Sequence, residues 1–424
     1  MRRSAFPIAA LLAVALSAGV AEAQAPSPPY VEAWRATSDG PMSGATIAGG
    51  VAFVTTGDAV LGFDLADGTR IASYPRTGRL FRPGVGAVDG RAILVFVDGG
   101  TASSGASPSP AASATTELVA VDIADGSEPW RTAIGGGVKG GIAVQGEAAY
   151  VVDGEGSLLA ISLRDGSIRW SATRVGTGDA PPTVVGDVVY ASGAPNGSAR
   201  IVALDVATGE RRWAQPPQYG AAATSAIAVE GDALAFVGSD RIARVLDVST
   251  GDARWEDLLL NVPSPVVAPG LTADALYATD YAGGVYRFDP ATGERIWDHQ
   301  LNVLAVRSGP VAVDAGVVLG TDDGRLVALD GATGHLVADV RLGDGVVGAI
   351  VVAGDLLIAP VAGDAPALVA LRTDPEGTLL DVASPTALDP LALVGRFGLA
   401  AAFLLAAAVL GRTASRRRSG GATS

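Results

Sequence analysis

The sequence predicts an all-β fold: an eight-bladed β-propeller of four-stranded antiparallel blades, followed by one C-terminal transmembrane α-helix. Three observations predict it. The stretch LDVATGERRW (204–213) recurs as VDIADGSEPW (121–130), LDVSTGDARW (246–255) and FDPATGERIW (288–297). Positions equivalent to its Asp205, namely Asp64, Asp122, Ser162, Asp205, Asp247, Asp289, Asp330 and Arg372, lie 40–43 residues apart with one exception. Each period holds short apolar runs divided by turn residues every 8–12 residues or so, the spacing of an all-β fold. Four strands in roughly 40–45 residues is the pattern of a propeller blade.

Composition agrees. Of 424 residues, 49% are hydrophobic, 17% are charged and 56 are glycine. Such a chain buries a large core and favours strands and turns over helices. It has no cysteine, which excludes disulfides, thiol catalysis, thiolate metal sites and a lipid-bearing N-terminal Cys. Its formal net charge is −14. An acidic chain without a basic patch is a poor nucleic-acid ligand, so no nucleic-acid partner is expected.

The elements follow in order. Residues 1–23 read as a secretory signal peptide: Arg2 and Arg3, an apolar stretch from Ala5 to Val20, and the small-x-small site Ala21-Glu22-Ala23. The propeller occupies 31–383. In residues 181–214, PPTVV, VVYAS, ARIVALD and ERRWAQ read as four successive strands. The one long spacing, 58 residues from Asp64 to Asp122, contains a Gly/Ser/Pro/Ala-rich insertion at 98–116. It joins a second strand to a third and is expected to be mobile.

The motif itself reads as a tight reversal. An Asp at a strand end accepts backbone N–H groups two or three residues on, and a Gly at the exit supplies φ > 0. The turn residues are Asp205, Thr208 and Gly209, then Asp247, Thr250 and Gly251, Asp289, Thr292 and Gly293, and Asp330, Thr333 and Gly334. Asp67-Gly68, Asp125-Gly126 and Asp165-Gly166 serve three other units. A phosphate loop would need a Lys opening a helix, and each turn offers too few carboxylates for calcium.

Trp130, Trp170, Trp213, Trp255 and Trp297 each lie eight residues after their anchor, on the outer strand. Their rings are expected to fill the gaps between blades, with each N–H on a backbone acceptor. The other units carry Ala72, Ala338 and Leu380 there. Trp34, the sixth, precedes the first complete unit. Residues 31–37 are therefore predicted to supply the outer strand of the last blade and close the ring, which removes an exposed edge. The alternative is that 377–383 closes that blade and 31–37 adds an extra strand.

A linker at 384–390 leads to LALVGRFGLAAAFLLAAAVLG (391–411), long enough to span a bilayer. Arg412 and Arg416–Arg418 lie in the basic tail 412–424 and place it in the cytoplasm by the positive-inside rule. The predicted location is the cell membrane, single-pass, with the propeller on the extracytoplasmic side.

The repeat Leu/Ala-x-Asp-x-x-Thr-Gly-x-x-x-Trp, clearest at 203–213, 246–255 and 287–297, resembles that of the pyrroloquinoline quinone (PQQ) propeller superfamily. Degenerate copies extend the resemblance over roughly 45–383. The superfamily implies either quinone-dependent dehydrogenases or cofactor-free propellers, and the chain looks most like the BamB-like non-enzymatic branch. The enzymes typically carry a vicinal cysteine pair and a calcium site of Glu, Asn and Asp. This chain has no Cys, and its three Asn (Asn196, Asn261 and Asn302) match no such motif. No catalytic, cofactor-binding or metal-binding residue is assigned. The two histidines, His299 and His335, have no neighbour that suggests a base or a ligand set. The expected function is a membrane-anchored extracytoplasmic scaffold that binds an envelope or membrane protein without cofactor or catalysis. The alternatives are a PQQ-dependent dehydrogenase and a ligand-sensing ectodomain.

Overall fold

A chain that alternates short apolar runs with Gly-containing turns must pair each strand with the next, because a buried backbone needs its N–H and C=O groups satisfied. The computed structural model of the protein describes residues 26–374, except 100–115, 177–179, 194–199, 216–224, 239, 260–267, 281, 304–305 and 307. These residues form eight antiparallel sheets of four strands each, the eight blades of a propeller. The fourth blade is representative: Thr183–Val185, Val188–Gly193, Arg200–Asp205 and Arg211–Ala214, paired in chain order. Its second strand has the burial of a segment covered on both faces, with residues 189–193 all buried. That explains why such strands read as continuous apolar runs rather than alternating ones.

The eighth blade departs from chain order. Val351–Ala353, Leu356–Val361 and Ala367–Thr373 are followed by Tyr30–Thr37, the first strand of the described chain. The pairing runs antiparallel from Tyr30 opposite Thr373 to Thr37 opposite Ala367, with a bulge between Glu32 and Trp34. Further bonds hold both ends. The Asp374 N–H donates to the Pro29 carbonyl at 2.7 Å, and the Ser38 N–H donates to the Pro366 carbonyl at 3.0 Å. The ring is thus shut by strand exchange between the two ends of the described chain. The alternative outer strand, 377–383, lies outside the described residues.

The hydrophobic core is not one mass. It divides into eight buried clusters, one per joint between neighbouring blades. Inner strands are also tied across blades: the Thr183 hydroxyl donates to the Ile227 carbonyl at 3.0 Å. The second and third strands of the second blade end at Asp98 and begin at Thr116, so the Gly/Ser/Pro/Ala-rich insertion does connect those two strands. Among the described residues no helix is long and apolar enough to cross a membrane. The signal peptide (1–23), linker (384–390), membrane helix (391–411) and tail (412–424) all lie outside the described residues.

Candidate functional site

Every motif residue singled out from the sequence falls at a blade-to-blade joint. The turn between third and outer strands begins with the anchor Asp. The Oδ1 of Asp205 accepts the N–H groups of Ala207 at 2.9 Å and Thr208 at 3.0 Å, while the Gly209 N–H donates to the Asp205 carbonyl at 2.8 Å. Asp247 accepts Ser249 and Thr250 in the same way, Asp289 accepts Ala291 and Thr292, and Asp330 accepts Thr333. Gly209, Gly251, Gly293 and Gly334 adopt φ of +72°, +75°, +76° and +70°, the left-handed region that an L side chain enters only with strain.

Each Trp reaches from one blade onto the next blade's turn. The indole N–H of Trp213 donates to the Val248 carbonyl at 2.8 Å. Trp34, Trp130, Trp170, Trp255 and Trp297 donate to the carbonyls of Leu65, Leu163, Val206, Pro290 and Gly331, all at 2.7–2.9 Å. Each ring packs against the turn glycine. A Cβ on Gly251 would stand 2.4 Å from the Trp213 ring, and one on Gly209 would stand 2.6 Å from Trp170. Glycine is therefore required twice, for its φ and for the ring above it. A second aromatic often supports the indole: Tyr150, Tyr190 and Tyr277 lie about 6 Å, centroid to centroid, from Trp170, Trp213 and Trp297.

The joint has a third component, an arginine. Arg212, just before Trp213, bridges Asp187 at 2.6 Å and the anchor Asp205 at 2.7 Å. Arg254, just before Trp255, bridges Asp232 and the anchor Asp247, both at 2.8 Å. Arg212 and the turn N–H groups hold the Asp205 carboxyl down to about 2. The Ser249 hydroxyl and Arg254 hold the Asp247 carboxyl well below the usual carboxylate range. The Arg-Trp dipeptide was the signal available in the sequence. Its meaning requires knowing that Asp187 and Asp232, in the turns between inner and second strands, emerge on the same face.

The residues present do not make the quinone and calcium site of the superfamily's enzymes. The chain offers no sulfur pair. Among the described residues no group of three His, Asp or Glu side chains is placed to hold a metal ion. Asn196 and Asn261 lie outside the described residues, and Asn302 offers its backbone carbonyl to Arg325 at 3.4 Å. The two histidines sit at the joint between the sixth and seventh blades. His299 is on the outer strand Arg295–Gln300, and His335 leaves the turn after Gly334.

Comparison with known proteins agrees with this architecture. The family model described as "Outer membrane protein assembly factor BamB" matches residues 114–265 and 281–379, more than half of the chain. A curated relative, the outer membrane protein assembly factor BamB of Burkholderia pseudomallei, is 29% identical over 240 residues, covering 53% of this chain and 60% of its own length. The chain thus spans less than two thirds of that relative's length. The crystal structure of BamB from Moraxella catarrhalis superposes with a TM-score of 0.62 at 18% identity, covering 81% of this chain and 99% of that one. A quinohemoprotein alcohol dehydrogenase from Pseudomonas putida superposes with a TM-score of 0.63 at 13% identity, covering 85% and 78%. At such identities both structures speak for the fold alone. By the family match and the repeated Asp-turn-Trp joint together, the chain belongs to the propeller family of the outer membrane protein assembly factor BamB.

Proposed function

We propose that this protein is a non-enzymatic, extracytoplasmic scaffold that binds a protein of the cell envelope and is tethered by its C-terminal segment 391–411. The observation that carries this reading is the family match over residues 114–265 and 281–379 to a family described as an assembly factor. Two features support it. The recurring residues that mix carboxylate, hydroxyl and indole are spent on joints between blades. The apolar stretch 391–411 and Arg416–Arg418 have the make-up of a membrane span with its inner flank, and 1–23 has that of an export signal. The tryptophans Trp34, Trp130, Trp170, Trp213, Trp255 and Trp297 serve as docking wedges in this reading. Affinity isolation of the full chain from solubilised membranes tests it. Specific co-isolation of an envelope protein, lost when the propeller is unfolded by substitution at a joint, is the expected result.

The second reading, a quinone-dependent oxidoreductase, has one observation in its favour: likeness in fold to a quinohemoprotein alcohol dehydrogenase over 85% of the chain. Reconstitution with the quinone and calcium separates the two. A bound chromophore with alcohol-dependent dye reduction would replace the scaffold reading.

A further inference from the structure

Both histidines of the chain fall at one joint. Six joints carry the Trp-on-glycine contact, and at each of them two further positions flank it. One is two residues after the Trp, on the same face of the outer strand because side chains alternate. The other immediately follows the turn glycine of the next blade. The joint between the second and third blades shows how near they are: the Thr132 hydroxyl, two residues after Trp130, donates to the Gly166 carbonyl at 2.6 Å. At the joint between the sixth and seventh blades these positions are His299, two residues after Trp297, and His335, next to Gly334.

We infer that this joint is acid-sensitive: protonation of His299 against His335 loosens the contact of Trp297 with the turn of the seventh blade.

The surroundings support a one-sided response. His299 is half-buried and His335 is exposed. On the outer strand of the sixth blade, Arg295 is engaged with Asp257 of the fifth blade at 2.7 Å, and Asp298 faces the opposite way from His299. On the third strand of the sixth blade, Arg287 donates to the Gly331 carbonyl at 2.7 Å, the acceptor that Trp297 also uses. On the seventh blade, Asp330 is occupied by the N–H and hydroxyl of Thr333 at 2.8 and 2.6 Å, and Arg325 is held by Asp339 at 2.7 Å. The charge that acts on His299 is that of His335, while the Asp330 carboxylate acts on His335 from the turn of the seventh blade. Burial of its ring, and then the charge of His335, hold His299 below the ordinary histidine value.

The sign follows from linkage. A base whose folded value is depressed takes its proton more readily once the joint has opened. Acid therefore favours the open joint, and the effect is absent above the ordinary histidine range.

The test uses the full chain in detergent, labelled with 5-fluorotryptophan, and ¹⁹F NMR from pH 8 to pH 5. There are six tryptophans, and the Trp297→Phe variant assigns the Trp297 resonance. We expect that resonance to titrate with a midpoint below about 6.5 while the other five stay level. His299→Gln abolishes the titration, and His335→Gln moves the midpoint upward by removing the like charge. A Trp297 resonance that stays level, a titration that survives in His299→Gln, a midpoint unmoved in His335→Gln, or a parallel shift of all six would each overturn the inference.

Discussion

Two joints of the ring are built without a tryptophan, and they instruct best when set beside a joint that has one. Between the second and third blades, Trp130 is 8% exposed, lies on Gly166 and donates to Leu163. Between the first and second blades, the equivalent position is Ala72. There the aromatic is Tyr74, two residues later, whose ring comes no closer than 3.8 Å to where a Cβ on Gly126 would stand. Between the seventh and eighth blades the position is Ala338. That joint is filled instead by an apolar cluster of 15 buried residues that includes Tyr30, itself 1% exposed. The indole is thus one solution among several to the same packing problem. What every joint needs is apolar volume between two sheets, and the Trp adds a directional bond and a fit to one glycine.

The largest expected effect is loss of closure. Removing residues 26–37 takes away the outer strand of the eighth blade, Trp34 and the buried Tyr30 together, and bares the edge of Ala367–Thr373. Such a chain should show no cooperative thermal transition and should be cut by protease under conditions where the parent is intact. Unchanged melting would mean that some other segment closes the ring.

Next comes the direct contrast between joints. Trp130→Ala should cost about 3–5 kcal/mol by urea unfolding, as expected for a large buried aromatic. Tyr74→Ala, at a partly exposed ring without the matching glycine contact, should cost roughly 1–2 kcal/mol. Equal losses would erase the distinction drawn between the two kinds of joint.

A single methyl group comes third. Gly251→Ala places a Cβ 2.4 Å from the Trp213 ring at φ +75°. It should cost about 1–3 kcal/mol through strain alone, whereas the same change at Gly186, with nothing within 4 Å at φ +60°, should cost only the backbone part. The difference between the two variants measures the ring contact.

The smallest effect is electrostatic. Asp205 and Asp247 have carboxyls depressed by their Arg and turn donors. Groups of this kind contribute stability that is complete above the ordinary Asp value and is lost as pH falls through the depressed one. Thermal stability should therefore decline from about pH 4 toward pH 2. In Asp205→Asn and Asp247→Asn that decline should be shallower, from a lower plateau at neutral pH.

How much was legible differed by element. The turn was legible because its logic is local: Asp205, Thr208 and Gly209 satisfy one another within five residues. The outer-strand position of Trp130 through Trp297 followed from constant spacing. Closure by residues 31–37 was inferred from a tryptophan without a turn, and the pairing of Trp34 opposite Ala370 accords with it. The Arg212–Asp187–Asp205 and Arg254–Asp232–Asp247 bridges were not legible, because the residue that completes each comes from a different turn, 25 and 22 residues back. The placement of His299 and His335 at one joint was not legible for the same reason. Each histidine taken alone has no suggestive neighbour in sequence, and they become a pair only when the seventh blade's turn lies against the sixth blade's outer strand.

The sequence by itself determined the number of blades, the strands within them and the turn that ends each third strand. Those features depend on interactions a few residues apart and on a period that survives degeneration of single copies. Only the tertiary structure decided which joints lack an indole and how they are filled, where the carboxylates find their arginines, and that Tyr30–Thr37 pairs with Ala367–Thr373. The ends of that last pairing are more than 300 residues apart, as in the Ser27 N–H to Thr373 hydroxyl bond at 2.8 Å. Loop entropy opposes bringing such distant segments together, and it is the ring of intervening blades that presents one to the other.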